Sequence, residues 1–310
     1  MNTVHVGLIG MGYWGAKLAR CLDQLGALWG VAEADAARRV EAQRAYPAAA
    51  SYRGLAEACA DPDVDAVVLA TPVPTHAWLA AAALGAGKHV LVEKPLATTV
   101  TEAEQLVALA AERGLVLMVG HTYEHHPAFQ KLLAMADGGA LGHLQYATAT
   151  WEHLGIVQRD LGVLWSIGPH PVSVLCTLFG TPKTVAAQGQ GYLTPGVEDV
   201  VFLTLAFPGG CIAQVRVSWL APRKVRQLTL VGSGGMAIFD DLAEDQLRSY
   251  DLAAPDKGLA TPRLMRMGIP TVHTKEPLLV ELERFLGAVR GRTTTLSDGE
   301  SGLRVVRVLE

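Results

Sequence analysis

The chain has 310 residues, of which 50% are hydrophobic and 18% charged, and a formal net charge of −4. That length suits one large domain or two ordinary ones, and the mild acidity gives no basic footprint for nucleic acid. Cys21, Cys59, Cys176 and Cys211 are scattered, with neither a CxxC pair nor a disulfide or zinc spacing. A reduced, cytoplasmic protein is therefore expected, with no leader peptide and no apolar run long enough for a membrane span.

Residues 4–9 form a short apolar run that reads as a buried strand. It leads into Gly10, Met11, Gly12, Tyr13, Trp14 and Gly15, the pattern G-x-G-x-x-G, and then a helical stretch over 16–25 stopped by Gly26. In a dinucleotide-binding turn each glycine has its own role. Gly10 allows the tight turn, Gly12 lets the backbone approach a pyrophosphate, and Gly15 lets helix and strand pack closely. The helix start then offers N–H groups and a positive dipole end to phosphate. The next strand, 28–32, ends at Glu33, where a carboxylate can accept from a ribose 2′-hydroxyl and so favour NAD; Asp35 is a second candidate. Arg38 and Arg39 follow and can instead hold the 2′-phosphate of NADP, although solvated helix charge is the plainer reading.

The alternation continues with a short helix over 55–59, a buried strand over 65–70 ending at Thr71 and Pro72, and a helix over 75–84. A strand over 88–92 then runs into Glu93, Lys94 and Pro95. Thr101 and Glu104 form a capping-box pattern for a helix ending at Arg113, with Gly114 as its stop. Residues 115–119 make the last strand of this alternation. Regular alternation of strand and helix predicts a doubly wound parallel sheet, a Rossmann domain over 1–120.

After Gly120 the pattern changes. A histidine-rich turn over 121–127 precedes a helix over 128–135 and a strand over 144–149, and Gly168, Pro169, His170 and Pro171 open an apolar helix to Phe179. Strands are expected over 184–189, 200–207, 211–219, 227–232 and 236–240, with hairpin-like turns between them. Residues 255–277 read as a loop, and helices near 278–289 and 299–309 close the chain. The expected second domain, 121–310, is α+β with an open, largely antiparallel sheet. Small-molecule sites favour the boundary between such unlike domains.

Lys94 stands at a strand end, where open parallel sheets keep their ligands. Desolvation there lowers an ammonium pKa and makes it a proton donor or acceptor; the alternative is a solvated lysine paired with Glu93. His170 suits proton transfer near neutral pH, or else it caps a helix. Thr71, Pro72 and Glu93 join the cofactor candidates, and His76 is either a cofactor neighbour or a surface residue. Tyr123, His126, Trp151, Arg159 and Ser166 are further pocket candidates. His121, His125 and His126 lack a carboxylate at a ligand spacing, so no metal is expected.

In their order and spacing, the Gly10–Gly15 turn, Glu93-Lys94-Pro95 and Gly168-Pro169-His170 resemble the Gfo/Idh/MocA oxidoreductases. Gly120-His121-Thr122-Tyr123 and the ending Leu296-Ser297-Asp298-Gly299-Glu300 add to the likeness. The resemblance implies hydride transfer between NAD(P) and a sugar, nucleotide-sugar or related carbonyl, with Lys94 and His170 as the acid/base pair. It also implies a cis Lys94–Pro95 bond and pairing through the open sheet into a homodimer or homotetramer. The sequence departs from the family pattern at Ser166, where an aspartate is common, at Pro171, and at His126. A serine offers hydrogen bonds but no carboxylate charge. That departure leaves room for an atypical carbonyl or imine substrate, or for a non-catalytic NAD(P)-binding regulator.

Overall fold

The structure, a computed structural model, describes residues 3–155, 157, 161–253, 263–273, 275–291, 293 and 296–310. The chain divides into two compact units: Met1–Thr122 with Glu276–Val308, and Tyr123–Lys275.

The first unit carries strands β1 (Val6–Ile9), β2 (Leu28–Ala32), β3 (Ala50–Tyr52), β4 (Ala66–Leu69), β5 (His89–Glu93) and β6 (Leu117–Gly120). Between them lie helices α1 (Tyr13–Gln24), α2 (Ala36–Ala45), α3 (Leu55–Ala60), α4 (His76–Gly85) and α5 (Val100–Arg113). The strands form one sheet in the order β3-β2-β1-β4-β5-β6, and every pair is parallel. β1, β4 and β6 are buried at every residue, as expected for strands covered on both faces. β3 has only three residues, with Ser51 exposed, too short to show as an apolar run. The helix to Arg113 begins two residues earlier than its expected capping box. Thr99 is the N-cap and its side chain accepts from the Glu102 N–H at 3.2 Å, so the working T-x-x-E pair is Thr99 and Glu102. Gly114 ends the helix in the left-handed conformation, where a glycine carries no Cβ penalty.

The second unit holds α6 (Pro127–Asp137), β7 (Leu144–Leu154), α7 (Val163–Ile167), α8 (Pro169–Phe179), β8 (Thr184–Gln190), β9 (Val200–Ala206), β10 (Ile212–Ser218), β11 (Leu220–Gly232), β12 (Gly235–Asp240), β13 (Leu247–Ala253) and β14 (Arg263–Gly268). Their order is β14-β13-β12-β11-β7-β10-β9-β8. β7 and β10 run parallel; the other pairs are antiparallel. β9 and β10 alternate buried and exposed residues, the period-two pattern of a sheet with one covered face. α6, α7 and α8 cover one face, while Tyr146, Phe202 and Ile212 stand exposed. β14 occupies part of the stretch expected as loop; its residues are largely exposed, so it has no buried face to set an alternating pattern.

The closing helices α9 (Pro277–Val289) and α10 (Gly299–Leu309) differ from the expected division at 120/121. They belong with the parallel sheet, not with the antiparallel one. α9 inserts Leu278, Leu282 and Phe285 into a core cluster with Val6, Leu8, Leu18, Leu22, Leu91 and Met118. Its Glu281 accepts from the Thr122 hydroxyl at 3.0 Å. The Val119 N–H donates to the Ser297 carbonyl at 2.8 Å, so the chain's last segment covers the edge of β6. Asp298 then caps α10 by accepting the Ser301 N–H at 2.8 Å.

Because Phe285 is fully buried in that cluster, Phe285→Ala is expected to cost about 3–5 kcal/mol. Thermal unfolding followed by near-UV dichroism measures the loss, and NADH affinity should fall with it although Phe285 is on no strand of the sheet.

Candidate active site

At the end of β1 the backbone turns through Gly10 at φ +96°, where a Cβ would lie 2.5 Å from the Ala70 carbonyl oxygen. At Gly15 a Cβ would lie 2.0 Å from the Gly10 oxygen, whereas the space beside Gly12 is open. The three glycines are thus separated by function: two are forced by close packing, and the third leaves room in front of the helix. Gly12 is the N-cap of α1 and no side chain caps that end, so its first N–H groups are available to a ligand. A cleft of ≈ 1070 Å³ opens there, lined by Gly10, Gly12, Tyr13, Trp14, Glu33, Arg38, Thr71 and Pro72 among others. Volume, glycine cradle and bare helix end fit a dinucleotide.

Glu33 is buried at the end of β2. Its carboxylate accepts from the Met11 N–H at 2.8 Å, the Asp35 N–H at 2.9 Å and Arg38 Nη2 at 3.2 Å. Burial alone would raise its pKa, but the two amides and Arg38 outweigh it and leave the pKa lowered. Asp35 instead caps α2 by accepting the Arg38 N–H. Arg38 and Arg39 are not merely solvated, since Arg39 Nη1 donates to the Glu33 carbonyl at 2.6 Å.

β5 delivers Glu93 and Lys94, and the Lys94–Pro95 peptide is cis. Glu93 is 7% exposed. Its carboxylate accepts from the Trp14 indole N–H and from the Lys94 N–H at 3.3 Å. A Cβ on Gly120, its register partner on β6, would come within 3.0 Å of that carboxylate. Burial pushes the Glu93 carboxyl up to about 7, against the pull of the Lys94 ammonium and Trp14. Burial also lowers the pKa of Lys94, opposed by the Glu93 charge. Lys94 itself is half-buried, at the end of a strand whose neighbour β4 leads to Thr71 and Pro72.

His76, open to two readings from sequence, is 1% exposed. Its Nδ1 lies 2.7 Å from the Pro95 carbonyl oxygen and its Nε2 2.9 Å from that of Thr71. No surface role fits that burial.

In the second unit, Tyr123 is the centre of an aromatic group. Its ring meets Trp151 at 5.4 Å, His170 at 5.0 Å and Phe239 at 6.4 Å, each edge-on. His170 lies one residue inside α8, where Pro169 fixes the first helical turn. Ser166 sits in the preceding helix α7, its N–H donating to the Gly162 carbonyl. Arg159 lies outside the described residues. Asp241, just past β12, is absent from the sequence candidates, yet it gathers this region. It accepts from the Tyr123 hydroxyl at 3.0 Å and Arg226 Nη1 at 2.9 Å, and it faces His126 Nε2 at 3.5 Å. His126 Nδ1 accepts the Ala128 N–H, which puts the ring hydrogen on Nε2, toward Asp241. Burial would raise the Asp241 pKa, but His126, Arg226 and Tyr123 together hold it well below the usual carboxylate range. A paired acid, Asp240-Asp241, at a strand end with Arg226 on the adjoining β11 was the available signal. Among the described residues no three His, Cys, Asp or Glu side chains converge as metal ligands.

Residues 4–121 match a family model described as an oxidoreductase family with an NAD-binding Rossmann fold. Residues 129–238 match the GFO/IDH/MocA C-terminal domain. The chain belongs to the Gfo/Idh/MocA oxidoreductase family. It is an NAD(P)-dependent oxidoreductase. Over 99% of its length it is 29% identical to the UDP-N-acetylglucosamine 3-dehydrogenase of Acidithiobacillus ferrooxidans, covering 95% of that protein. It is also similar to the trans-1,2-dihydrobenzene-1,2-diol dehydrogenase of Bos taurus, at 30% identity over 80% of this chain and 79% of that one. A solved oxidoreductase structure from Magnetospirillum magnetotacticum superposes with a TM-score of 0.87 at 32% identity, covering 99% of both chains.

Asp241 is linked to stability with a definite sign. Its folded pKa lies below the ordinary 3.8, so the unfolded chain binds more protons around that pH and stability is lost as pH falls through the carboxylate range. Asp241→Asn should flatten that part of the curve, and melting temperatures between about pH 2 and pH 5 measure it.

Proposed function

We propose that the chain oxidises a hydroxyl of a sugar or nucleotide-sugar, or reduces the matching ketone, with Lys94 and His170 moving the proton. The observation that carries this reading is a lysine with a burial-lowered pKa at the strand end beside a dinucleotide-sized cleft. The full-length similarity to a nucleotide-sugar 3-dehydrogenase supports the substrate class.

When bound, NAD supplies the hydride acceptor and, reduced, the donor. Gly10, Gly12, Tyr13 and Gly15 would hold its pyrophosphate, Glu33 its adenosine ribose, and Thr71, Pro72, Trp14 and Glu93 the remaining walls. Lys94, as a neutral amine, takes the hydroxyl proton as the carbinol carbon loses hydride; as an ammonium it returns that proton to a ketone. Burial supports this role because it brings the amine's proton affinity down toward working pH. Glu93 opposes the shift and keeps it from running further. His170 is the second group able to hold a proton, set against Tyr123, which Asp241 fixes in turn. Tyr123, His126, Trp151, Arg159 and Ser166 are assigned to the sugar. The Tyr123–Lys275 unit would both bind substrate and, through Tyr146, Phe202 and Ile212 on its open face, join a second copy.

The test follows absorbance at 340 nm with NAD and, in separate reactions, UDP-N-acetylglucosamine, other nucleotide sugars and free sugars. Lys94→Met should lower kcat by about 10²–10⁴-fold while NADH affinity changes little; a variant that keeps turnover overturns the assignment. For alcohol oxidation the rate should rise with pH as Lys94 loses its proton, on a limb below the 10.5 of an ordinary lysine. NADH binding with no turnover of any sugar would favour a non-catalytic regulator instead.

A further inference from the structure

His76 begins α4, whose buried side is otherwise Leu79, Ala80, Ala83 and Leu84. A polar ring inside an apolar layer is costly unless it is hydrogen-bonded, and a leucine would fill the same space without that cost. The ring is instead placed for bonding at both ends, to Pro95 and to Thr71. Those carbonyls belong to the chain leaving two adjacent strands, β5 and β4. Thr71 lines the cleft, and Pro95 directly follows Lys94. The Thr75 hydroxyl, one residue before His76, donates to Thr71 Oγ1 at 2.7 Å, so the same helix start grips the Thr71 segment twice.

A neutral imidazole has one N–H and donates to one carbonyl at a time. Donation to both requires the imidazolium, which burial opposes first and the charge of Lys94 opposes further. In either tautomer the rigid ring fills the gap between the two strand ends and donates to one carbonyl, while its bare nitrogen, itself an acceptor, is held against the other without a hydrogen bond. The strand pairing of β5 reaches Val92 on the β4 side and Glu93 on the β6 side. The ring therefore bonds one of the two chain segments and keeps the other at a fixed spacing, beyond the point where β4 and β5 pair.

We propose that His76 is a positioning residue for hydride transfer, fixing the distance between the cleft wall at Thr71 and the peptide that carries Lys94. Proton transfer and hydride transfer must occur on one substrate held in one geometry, so a device that sets the amine against the cofactor wall acts on rate more than on affinity. The inference rests on the assignment of Lys94 to proton transfer, and the test separates the two.

His76→Leu and His76→Gln are compared with the parent enzyme in three measurements. The first is NADH affinity by fluorescence. The second is competitive acetylation of Lys94 with acetic anhydride as a function of pH, read by mass spectrometry with and without NADH. Exposed Lys131 and Lys183 serve as internal standards. The third is kcat and its pH profile on whichever sugar the parent enzyme oxidises. In His76→Leu the Lys94 acetylation profile should shift and lose its response to NADH, the standards should stay unchanged, and kcat should fall roughly tenfold or more. NADH affinity should change far less. His76→Gln, which keeps a donor, should recover part of both effects, and it is the variant read if the leucine protein does not fold. A lowered melting temperature with unchanged Lys94 acetylation and unchanged kcat would show His76 to be a structural plug and overturn the proposal. If Lys94→Met retains turnover, the catalytic assignment fails by itself, and the acetylation profile still decides whether His76 positions that amine.

Discussion

A carboxylate buried at a strand end inside the sheet is tolerated only when donors surround it, and Glu93 is such a group. Its donors come from different parts of the first unit: the Trp14 indole from the helix after the glycine turn, and the Lys94 amide from the strand end itself. Gly120 on the next strand leaves the carboxylate its room, since a Cβ there would lie 3.0 Å from the Glu93 side chain and push it aside by a few tenths of an ångström. One buried acid therefore orders the start of α1, the end of β5 and the end of β6 against one another. Moving it would disturb the glycine turn and Lys94 together.

The second unit uses the same device with the opposite electrostatic outcome. Asp241 is also partly buried, yet three donors converge on it and its proton affinity falls, while Glu93 has fewer donors and its proton affinity rises. The contrast comes from the number and charge of partners, not from burial alone. It also separates their uses. A carboxylate held ionised is a fixed anchor for Tyr123, Arg226 and His126. One poised near neutrality next to a lysine responds to the charge of its neighbour.

The parallel sheet was legible because its information is local. Short apolar runs alternate with helical stretches, and the G-x-G-x-x-G pattern sits between a strand and a helix, where its physics applies. The features that escaped did so for separate physical reasons. β14 is the edge strand of its sheet and β13 its neighbour, and both bury too little to impose a pattern. Asp241 gathers Tyr123 and His126, both more than a hundred residues away in sequence. His76 looks like a helix-start histidine until its ring is seen between two carbonyls. Two T-x-x-E patterns overlap before α5, and only the extended backbone of Thr99 selects the working one. Sequence periodicity reports burial and turns well, whereas a polar network assembled from distant segments leaves no periodic trace.

The packing of α9 into the parallel-sheet core bears on how the chain is made. Leu278, Leu279, Leu282, Phe285 and Leu286 leave the ribosome last among the core residues around Val6 and Leu91, after the whole of Tyr123–Lys275 has emerged. Folding during synthesis usually proceeds from the N-terminus, domain by domain. Here the inserted unit can complete its own sheet first, while the dinucleotide unit waits, its apolar surface uncovered, for a helix encoded on the far side of that insertion. During translation the half of the molecule made first is the half finished last.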